Sequence, residues 1–390
     1  MARISFFKSS PTIPIYCYFL ERTTIFVAML LNDSRPHYDI LDGLRGVAAL
    51  IVIVYHVFEL FPGTPVPHGY LAVDFFFILS GFVIGYAYDG RWDKMTTGGF
   101  FKRRLIRLHP MVVMGAVLGA VTFLIQGGVQ WDGTKVGTGW VMLAMLCAMF
   151  MIPATPGSPY EVRGNGEMFP LNGPSWSLFF EYIGNILYAL LLRRLPKWAL
   201  AVLCAVSGVL LAGIAAHDGF LGVGWSFIDN GFWGGLIRML FPYIMGMLMA
   251  RVFRPAKVKK AFLLCSVMLL AVALLPAIGG EAWRNGLFEA FCVIVVFPCI
   301  VWLGASDSSY SERTKSVCSF LGDLSYPLYM VHYPVFYLYY HYLGFDGNGV
   351  SKSFAQAWPA ALLTVGVSLV LALVCMKYYD KPLRRFLSTK

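Results

Sequence analysis

Long apolar runs alternate with short polar segments along most of this 390-residue chain. A helix that crosses the hydrocarbon core of a bilayer needs about 20 predominantly apolar residues. By that measure the pattern predicts about ten transmembrane helices, and hence an all-α, polytopic membrane bundle. The predicted spans are residues 42–61, 69–89, 104–125, 174–192, 197–216, 231–251, 261–279, 284–304, 318–340 and 357–377.

One further apolar run, residues 136–152, lies at the lower limit of length for spanning. Basic clusters decide its placement, because Lys and Arg concentrate in cytoplasmic loops. If the run does not span, all the clusters fall on one side of the membrane: RWDK, FKRRLIR, LLRRLPK, RVFRPAKVKK and KYYDKPLRRF. We therefore predict that the run is re-entrant or interfacial and that both termini are cytoplasmic. The Gly/Pro-rich segment PATPGSPYEVRGNGEMFPLNGPSW is then external.

Composition supports the membrane assignment, since 58% of the residues are hydrophobic and only 13% are charged. The formal net charge is +10, but the basic residues lie between apolar runs, which excludes nucleic acid as the partner. No internal repeat is visible, which disfavours the transporters built from repeats. The eight Cys include no CxxC pair and no His at ligand spacing, so neither a disulfide framework nor a metal site is indicated.

The chain divides into three predicted regions. Residues 1–35 form an N-terminal extension whose apolar patch, interrupted by Glu21 and Arg22, makes a poor span and a poor signal peptide. Met29 is an alternative start. Residues 36–381 form the integral-membrane domain, and residues 382–390 form a short basic cytoplasmic tail.

The first predicted span, LDGLRGVAALIVIVYHV, carries ionisable residues that are costly inside a bilayer. Arg45 and His56 are eleven positions apart, so they share one helix face and are separated by about 16 Å along the axis. Arg45 lies near the cytoplasmic end, where it either anchors the helix or serves a site. His56 lies slightly beyond the midplane toward the outside, and is either a hydrogen-bonded packing histidine or a functional group.

Asp74 lies about five residues inside the outer end of the second span. In an antiparallel neighbour of the first span it would reach the depth of His56 or Glu59, where a carboxylate can fix the tautomer of a histidine. The alternative is that Asp74 caps the start of its own helix. Gly81 and Gly85, four residues apart, predict close helix packing.

Arg104 and Arg107 lie three residues apart in GGFFKRRLIRLHP, so they share one face of the third span at its cytoplasmic mouth. Two guanidinium groups there suit a multiply charged phosphate ligand, because each can bind phosphate oxygens in a bidentate manner. The alternative is ordinary positive-inside charge, which explains Lys102 and Arg103 better than the embedded pair.

Later spans also contain polar residues. Glu181 lies two turns inside the helix opened by GPSWSLFFEY, where it either holds a hydrogen-bond network or helps to bind or activate a polar acceptor. Tyr329 and His332 lie near the centre of the ninth span, in LSYPLYMVHYPVFYLYY. The Tyr-rich half of that span fits packing and interface anchoring, whereas His332 is a candidate for a direct role.

Five of these motifs, in this order, resemble the acyltransferase-3 family of bacterial membrane O-acyltransferases. They are LDGLRGVAALIVIVYHV, DFFFILSGFVI, RRLIRLHP, PSWSLFFEY and LSYPLYMVHYPV, and the resemblance covers roughly residues 39–381. It implies a multi-pass enzyme of the cytoplasmic membrane that needs no metal. Its members move an acyl group, usually acetyl, from cytoplasmic acyl-coenzyme A to a hydroxyl of a cell-surface glycan or small molecule. The resemblance is to members without a C-terminal SGNH-type domain.

The resemblance also implies roles for individual residues. Arg45 and His56 match the essential pair of the family, and Arg104 and Arg107 match the arginines that hold coenzyme A phosphates. The predicted site has catalytic residues His56, Arg45, Asp74 and Glu181, donor-binding residues Arg104, Arg107 and Arg45, and acceptor-binding residues Ser177, Tyr329 and His332.

In the resulting hypothesis, neutral His56 is the general base for an acceptor hydroxyl that enters from the outer side, while the donor docks at the cytoplasmic arginines. Direct transfer and an acyl-histidine intermediate both stay open. The rival hypothesis is a transporter or flippase of a polar or lipid-linked glycan, with His56 and Asp74 as a proton relay. It does not readily explain Arg104 and Arg107. A catalytically inactive scaffold is a third possibility, against which the spacing of Arg45 and His56 argues.

Overall fold

The computed structural model describes residues 37–307 and 310–389, and the predicted N-terminal extension lies outside them. In chain order the helices are α1 (Asp39–Phe58), α2 (Ala72–Tyr88), α3 (Thr97–Ile125), α4 (Thr138–Met149), α5 (Ser175–Leu190), α6 (Lys197–Asp218), α7 (Gly231–Val252), α8 (Ala261–Leu274), α9 (Ala282–Phe291), α10 (Phe297–Ser306), α11 (Glu312–Leu343), α12 (Phe354–Val374) and α13 (Lys381–Ser388). Short π-helical segments, Cys292–Val296 and Cys375–Asp380, join α9 to α10 and α12 to α13.

Among the described residues, seven helical segments are long and apolar enough to cross a membrane, which confirms the polytopic helix bundle. They are Asp39–Phe58, Gly69–Tyr88, Thr97–Ile125, Lys197–Asp218, Gly231–Val252, Ala282–Ser306 and Phe354–Ser388. The other three predicted spans are helical, but they are too short or too polar to be counted with these seven. Helices α5 and α8 are shorter, with 16 and 14 residues, and α11 has 32 residues of which the first third is polar.

The ambiguous apolar run forms α4, a helix of 12 residues. At 1.5 Å per residue it extends about 18 Å, well short of a hydrocarbon core of about 30 Å. It packs on α3, with Val141, Ala144 and Ala148 buried. The helix is therefore too short to span, in agreement with the prediction from the basic clusters that this run does not cross the membrane.

Two helix pairs form the centre of the bundle. Helix α2 packs along α7, and α1 packs along α11, which also contacts α3 and α12. The close approach of α2 and α7 requires glycine, because a Cβ on Gly81 would lie 2.0 Å from the carbonyl oxygen of Tyr243. A Cβ on Gly246 would likewise lie 2.1 Å from the carbonyl oxygen of Ile78. The close packing predicted for Gly81 is confirmed.

One buried arginine holds the Gly/Pro-rich segment between α4 and α5 against the helix ends. Arg163 is 1% exposed, and it donates from Nη1 to Oε1 of Gln126 at 2.7 Å and from Nε to the carbonyl oxygen of Pro170 at 3.0 Å. Its guanidinium group lies 3.7 Å from the ring centroid of Tyr337 and 4.8 Å from that of Trp131. The segment is thereby fixed as part of the folded bundle.

The opposite end of the bundle carries the basic clusters. There, Nε of Arg251 in α7 lies 2.6 Å from Oδ2 of Asp89, just beyond the end of α2. The predicted basic tail is mostly helical, since α13 extends to Ser388, and Arg384 on α13 is paired with Asp380. The charge bias predicts that this end faces the cytoplasm.

Candidate active site

A cavity of about 290 Å³ lies at the end of the bundle remote from the basic clusters. Its walls come from α1, α2, α5, α7 and α11 and from the segments that join helices at this end. Most of the lining is aromatic and includes Trp131, Trp176 and Trp225. Its polar groups are few and include His56, Glu59, Asn165, Glu167 and Arg238. Apolar walls with a small number of placed polar groups are typical of a pocket for an organic ligand.

His56 lines this cavity from the last turn of α1. Its Nδ1 lies 2.8 Å from Oε2 of Glu59, three residues further along. The hydroxyl of Tyr340 donates to the other carboxylate oxygen of Glu59 and lies 3.2 Å from the carbonyl oxygen of His56. We assign the Nδ1–H tautomer from these contacts. Nε2 is then the nitrogen that can accept a proton.

A second histidine stacks against the first. The ring centroids of His332 and His56 are 5.3 Å apart, and Tyr333 meets His56 edge-on at 4.8 Å. Nδ1 of His332 lies 3.1 Å from the carbonyl oxygen of Leu328, to which it can donate. Its Nε2 is buried and has no hydrogen-bond partner in the described part of the chain. The structure thus brings His332 beside His56.

Tyr329 lines the cavity, whereas Ser177 lies directly behind it. Their hydroxyl oxygens are 2.7 Å apart. Both also reach the carbonyl oxygen of Pro174, at 3.0 Å from Ser177 and 3.3 Å from Tyr329. Of these two predicted acceptor-binding residues, Tyr329 can touch a ligand, and Ser177 positions the tyrosine.

Asp74 contacts Arg238, and the structure corrects the expectation that Asp74 orients His56. Its carboxylate accepts two hydrogen bonds from Arg238, from Nε at 3.2 Å and from Nη2 at 2.6 Å, and both side chains are buried. Arg238 also donates from Nη1 to the carbonyl oxygen of Val223 at 2.6 Å. A buried guanidinium needs a counter-charge, and Asp74 supplies it. The carboxylate beside His56 is that of Glu59.

The three predicted donor-binding arginines converge at the basic end of the bundle. The charges that act on Arg107 are those of Arg45, Arg104, Asp42 and Arg384. Arg107 is exposed to solvent although protein atoms surround it, as expected for a side chain in a recess open to water. Arg45 is paired with Asp42, at 3.0 Å from Nη1 to Oδ1. We call the site formed by Arg45, Arg104 and Arg107 and the residues that contact them the arginine recess.

Glu181 belongs to the arginine recess, and it does not line the cavity. Its Oε1 accepts hydrogen bonds from Nη2 of Arg104 and from Oγ of Ser80, both at 2.7 Å. Nε of Arg104 is buried without a partner among the described residues. The prediction that Glu181 holds a hydrogen-bond network is confirmed. Its catalytic role stays a prediction, and the structure places its carboxylate against Arg104.

Two charged residues within the bundle escaped the sequence analysis. Arg238 is one, and Glu289 is the other. Glu289 is buried and accepts hydrogen bonds from the hydroxyl of Tyr70 at 2.5 Å and from the amide of Leu221 at 2.6 Å. Tyr70 lines the cavity, so Glu289 holds part of its wall. Both residues are lone charges in apolar runs, the same signal that singled out His56.

Glu167 is a third missed residue, and its position in an external loop gave no signal. It lines the cavity, accepts a hydrogen bond from the hydroxyl of Tyr337, and accepts another from Nδ2 of Asn165 at 2.9 Å. Burial raises the pKa of Glu167 from 4.5 to about 7.

Within residues 37–307 and 310–389, no group of three or more His, Cys, Asp or Glu could hold a metal ion.

The fold and the site define a multi-pass membrane protein with a histidine-lined cavity at one end and an arginine recess at the other. A family model described as an acyltransferase domain, Acyl_transf_3, matches residues 38–377. The chain therefore belongs to the acyltransferase-3 family. It is a membrane acyltransferase that transfers groups other than aminoacyl groups.

Several known proteins are similar to this chain. Protein 2 in the picA locus of Rhizobium radiobacter is 35% identical over 48% of this chain and 100% of its own length. Acyltransferase MdmB of Streptomyces mycarofaciens is 27% identical over 90% of this chain and 92% of its own. Peptidoglycan O-acetyltransferase OatA of Listeria monocytogenes is 23% identical over 94% of this chain, which spans 58% of that relative. No solved structure matches the chain.

Proposed function

We propose that this acyltransferase moves an acyl group, usually acetyl, from cytoplasmic acyl-coenzyme A to a hydroxyl of a cell-surface glycan or small molecule. It would act in the cytoplasmic membrane of a bacterium, with His56 as the general base. The observation that carries the proposal is the placement of His56, which lines a cavity while its Nδ1 is held by Glu59. Two relatives, named as an acyltransferase and as a peptidoglycan O-acetyltransferase, support the reaction class.

The cavity suits a hydroxyl-bearing acceptor. Its tryptophan and tyrosine rings offer flat apolar faces on which a sugar ring or a small organic molecule can lie. Asn165, Glu167 and Arg238 add hydrogen-bonding groups at its rim and walls. An acceptor bound there would present one hydroxyl to His56.

The arginine recess suits the phosphates of coenzyme A. Arg107 is exposed and has no ion pair in the part of the chain that the structure describes, so its full charge is available to a ligand. Arg104 retains a free Nε, and Arg45 contributes charge although it is paired with Asp42. Guanidinium groups bind phosphate oxygens through strong, charge-assisted hydrogen bonds.

The reaction follows from these placements. Nε2 of His56 takes the proton of the acceptor hydroxyl, and the hydroxyl oxygen attacks the thioester carbonyl carbon. The carbon–sulfur bond breaks, and the coenzyme A thiolate receives the proton from the imidazolium. Glu59 keeps the ring in one orientation and stabilises its positive charge during the transfer. The products are an ester and free coenzyme A.

The rival proton relay has less support from the contacts. Asp74 is engaged by Arg238 through two hydrogen bonds, and it makes no contact with His56. The transporter hypothesis also does not explain the arginine recess.

The test uses the full-length protein in lipid nanodiscs. His56→Ala should abolish acyl transfer from acetyl-coenzyme A to a panel of free glycans and small hydroxylated molecules, measured as free thiol and as new ester. Binding of acetyl-coenzyme A, measured by calorimetry, should persist. His217→Ala is the matched control, since this histidine is exposed at the end of α6. Retained transfer by the His56 variant, or no binding of acetyl-coenzyme A by the unaltered protein, would overturn the proposal.

A further inference from the structure

A second concave site, separate from the arginine recess, lies at the basic end of the bundle. It is a groove of about 450 Å³ between α11 and the junction of α12 with α13. Its basic residues are Lys377, Lys381 and Arg385, which follow one another at intervals of four residues. That spacing keeps the three cations on one face of the continuous helical segment Phe354–Ser388. We call this site the basic groove.

The remaining lining of the basic groove is mostly apolar. Leu373 continues the row of cations by one more interval of four residues, and Phe320 faces it from α11. Phe320 is 49% exposed and Leu373 is 37% exposed, with Met376 partly buried between the helices. The groove therefore has a charged end toward α13 and an apolar end toward the span α12. This is the polarity of a membrane interface.

The basic groove keeps a net positive charge. Nζ of Lys381 lies 2.5 Å from Oδ2 of Asp323, so that lysine is neutralised in part. Lys377 and Arg385 are exposed and have no ion pair within the described residues. The ammonium group of Lys377 lies 5.2 Å from the ring centroid of Tyr378. Two cations thus remain available to an anionic ligand.

The basic groove is distinct from the arginine recess. The residues that line the groove include none of Arg45, Arg104 and Arg107. Arg384 is on the same short helix as Arg385 but is paired with Asp380, and it belongs to the recess. The donor proposed above therefore leaves the groove unused.

We propose that the basic groove binds an anionic glycerophospholipid of the cytoplasmic leaflet. The lipid phosphate lies against Lys377 and Arg385, and its acyl chains run along Leu373 and Phe320 toward the bilayer centre. Basic pockets between membrane helices on the cytoplasmic side attract anionic headgroups, because that leaflet carries negative surface charge. The apolar end selects a lipid over a soluble phosphate. This inference is independent of the acyl-transfer proposal.

The experiment is native mass spectrometry of the full-length protein with phosphatidylglycerol and phosphatidylcholine of identical acyl chains. The unaltered protein should retain phosphatidylglycerol in preference. The double variant Lys377→Gln, Arg385→Gln should bind it about thirtyfold more weakly, given the typical attraction of each basic residue to an anionic membrane. The matched control is Lys257→Gln, Lys259→Gln, which removes two exposed charges from the loop between α7 and α8. It should bind phosphatidylglycerol normally.

Three results would overturn the inference. They are equal retention of the two lipids by the unaltered protein, an equal loss in the control variant, and displacement of phosphatidylglycerol by glycerol phosphate at comparable concentration. The variant Lys377→Arg, Arg385→Lys keeps both charges and should bind like the unaltered protein. If the glutamine variant does not fold, the preference of the unaltered protein and the behaviour of the charge-keeping variant still decide the question.

Discussion

Replacing Glu59 with glutamine tests how His56 is prepared for proton transfer. Glu59→Gln keeps the size and shape of the side chain and removes its negative charge. The 2.8 Å hydrogen bond to His56 then loses its charged acceptor, and Glu59 is only 15% exposed, so water replaces little of it. A hydrogen bond to a charged group contributes about 1.5–3 kcal/mol. Since about 1.4 kcal/mol is tenfold in rate, kcat should fall by about ten- to a hundredfold.

The assay is release of coenzyme A by the nanodisc-embedded protein at saturating acceptor, with acetyl-coenzyme A varied. The KM for acetyl-coenzyme A should not change, because the arginine recess lies at the other end of the bundle from Glu59. Tyr340→Phe is the matched control, since it removes one donor to Glu59 but leaves the carboxylate. Its kcat should fall by about fivefold at most. An unchanged kcat in Glu59→Gln would refute the role of this carboxylate, and so would a loss confined to KM or to thermal stability.

Three further predictions concern the recess, the buried ion pair and the external wall. Arg107→Ala should raise the KM for acetyl-coenzyme A by about tenfold. Arg104→Ala should chiefly lower thermal stability, because Arg104, unlike Arg107, is hydrogen-bonded to Glu181. Steady-state kinetics and thermal unfolding distinguish the two effects. Asp74→Asn leaves Arg238 buried without a counter-charge and should lower the free energy of unfolding by about 3–5 kcal/mol, and adding Arg238→Met should restore most of it, as measured by thermal unfolding in detergent. The pKa of Glu167 is raised from 4.5 to about 7, so the folded chain binds this proton more tightly than the unfolded chain. Stability should then fall by about 3 kcal/mol as pH rises from 4.5 through 7, and Glu167→Gln should flatten that dependence in pH-resolved melting curves.

Hydropathy located the helices well but not their ends. The apolar run predicted to span residues 261–279 forms a helix that stops at Leu274. Pro276 follows two residues later and disfavours helical backbone in the residue before it. A count of apolar residues does not register such local backbone restrictions. Similarly, α11 is a single helix of 32 residues because its polar first third continues the same turns, although composition separates the two parts.

In the site, contacts between residues near in sequence could be predicted, whereas contacts between residues far apart in sequence could not. His56 and Glu59 are three residues apart on one helix, so their contact follows from helical geometry and was within reach of the sequence. Asp74 and Arg238 are separated by 164 positions, and their pairing depends on how α2 packs against α7. The sequence indicated that Asp74 is costly in a bilayer. Its partner is Arg238 because α2 and α7 pack closely at their glycines, which the sequence does not show. A single charged residue in an apolar run therefore predicts that a counter-charge exists, but it does not identify the residue that supplies it.

Some of the unsatisfied polar groups of the described residues lie at the two ends of the bundle and match the ligands proposed there. A buried polar group without a partner costs about 1–3 kcal/mol, so it is tolerated where a ligand satisfies it. Trp131 lines the cavity and its buried Nε1 has no acceptor among the described residues, which the oxygen of a hydroxyl can supply. At the recess, Nε of Arg104 is buried without a partner among the described residues and Arg107 is exposed to solvent, and phosphate oxygens are acceptors suited to both. His56 lines the cavity that suits a hydroxyl, so in the proposed mechanism the proton to be removed and the base that removes it lie at the same end of the bundle.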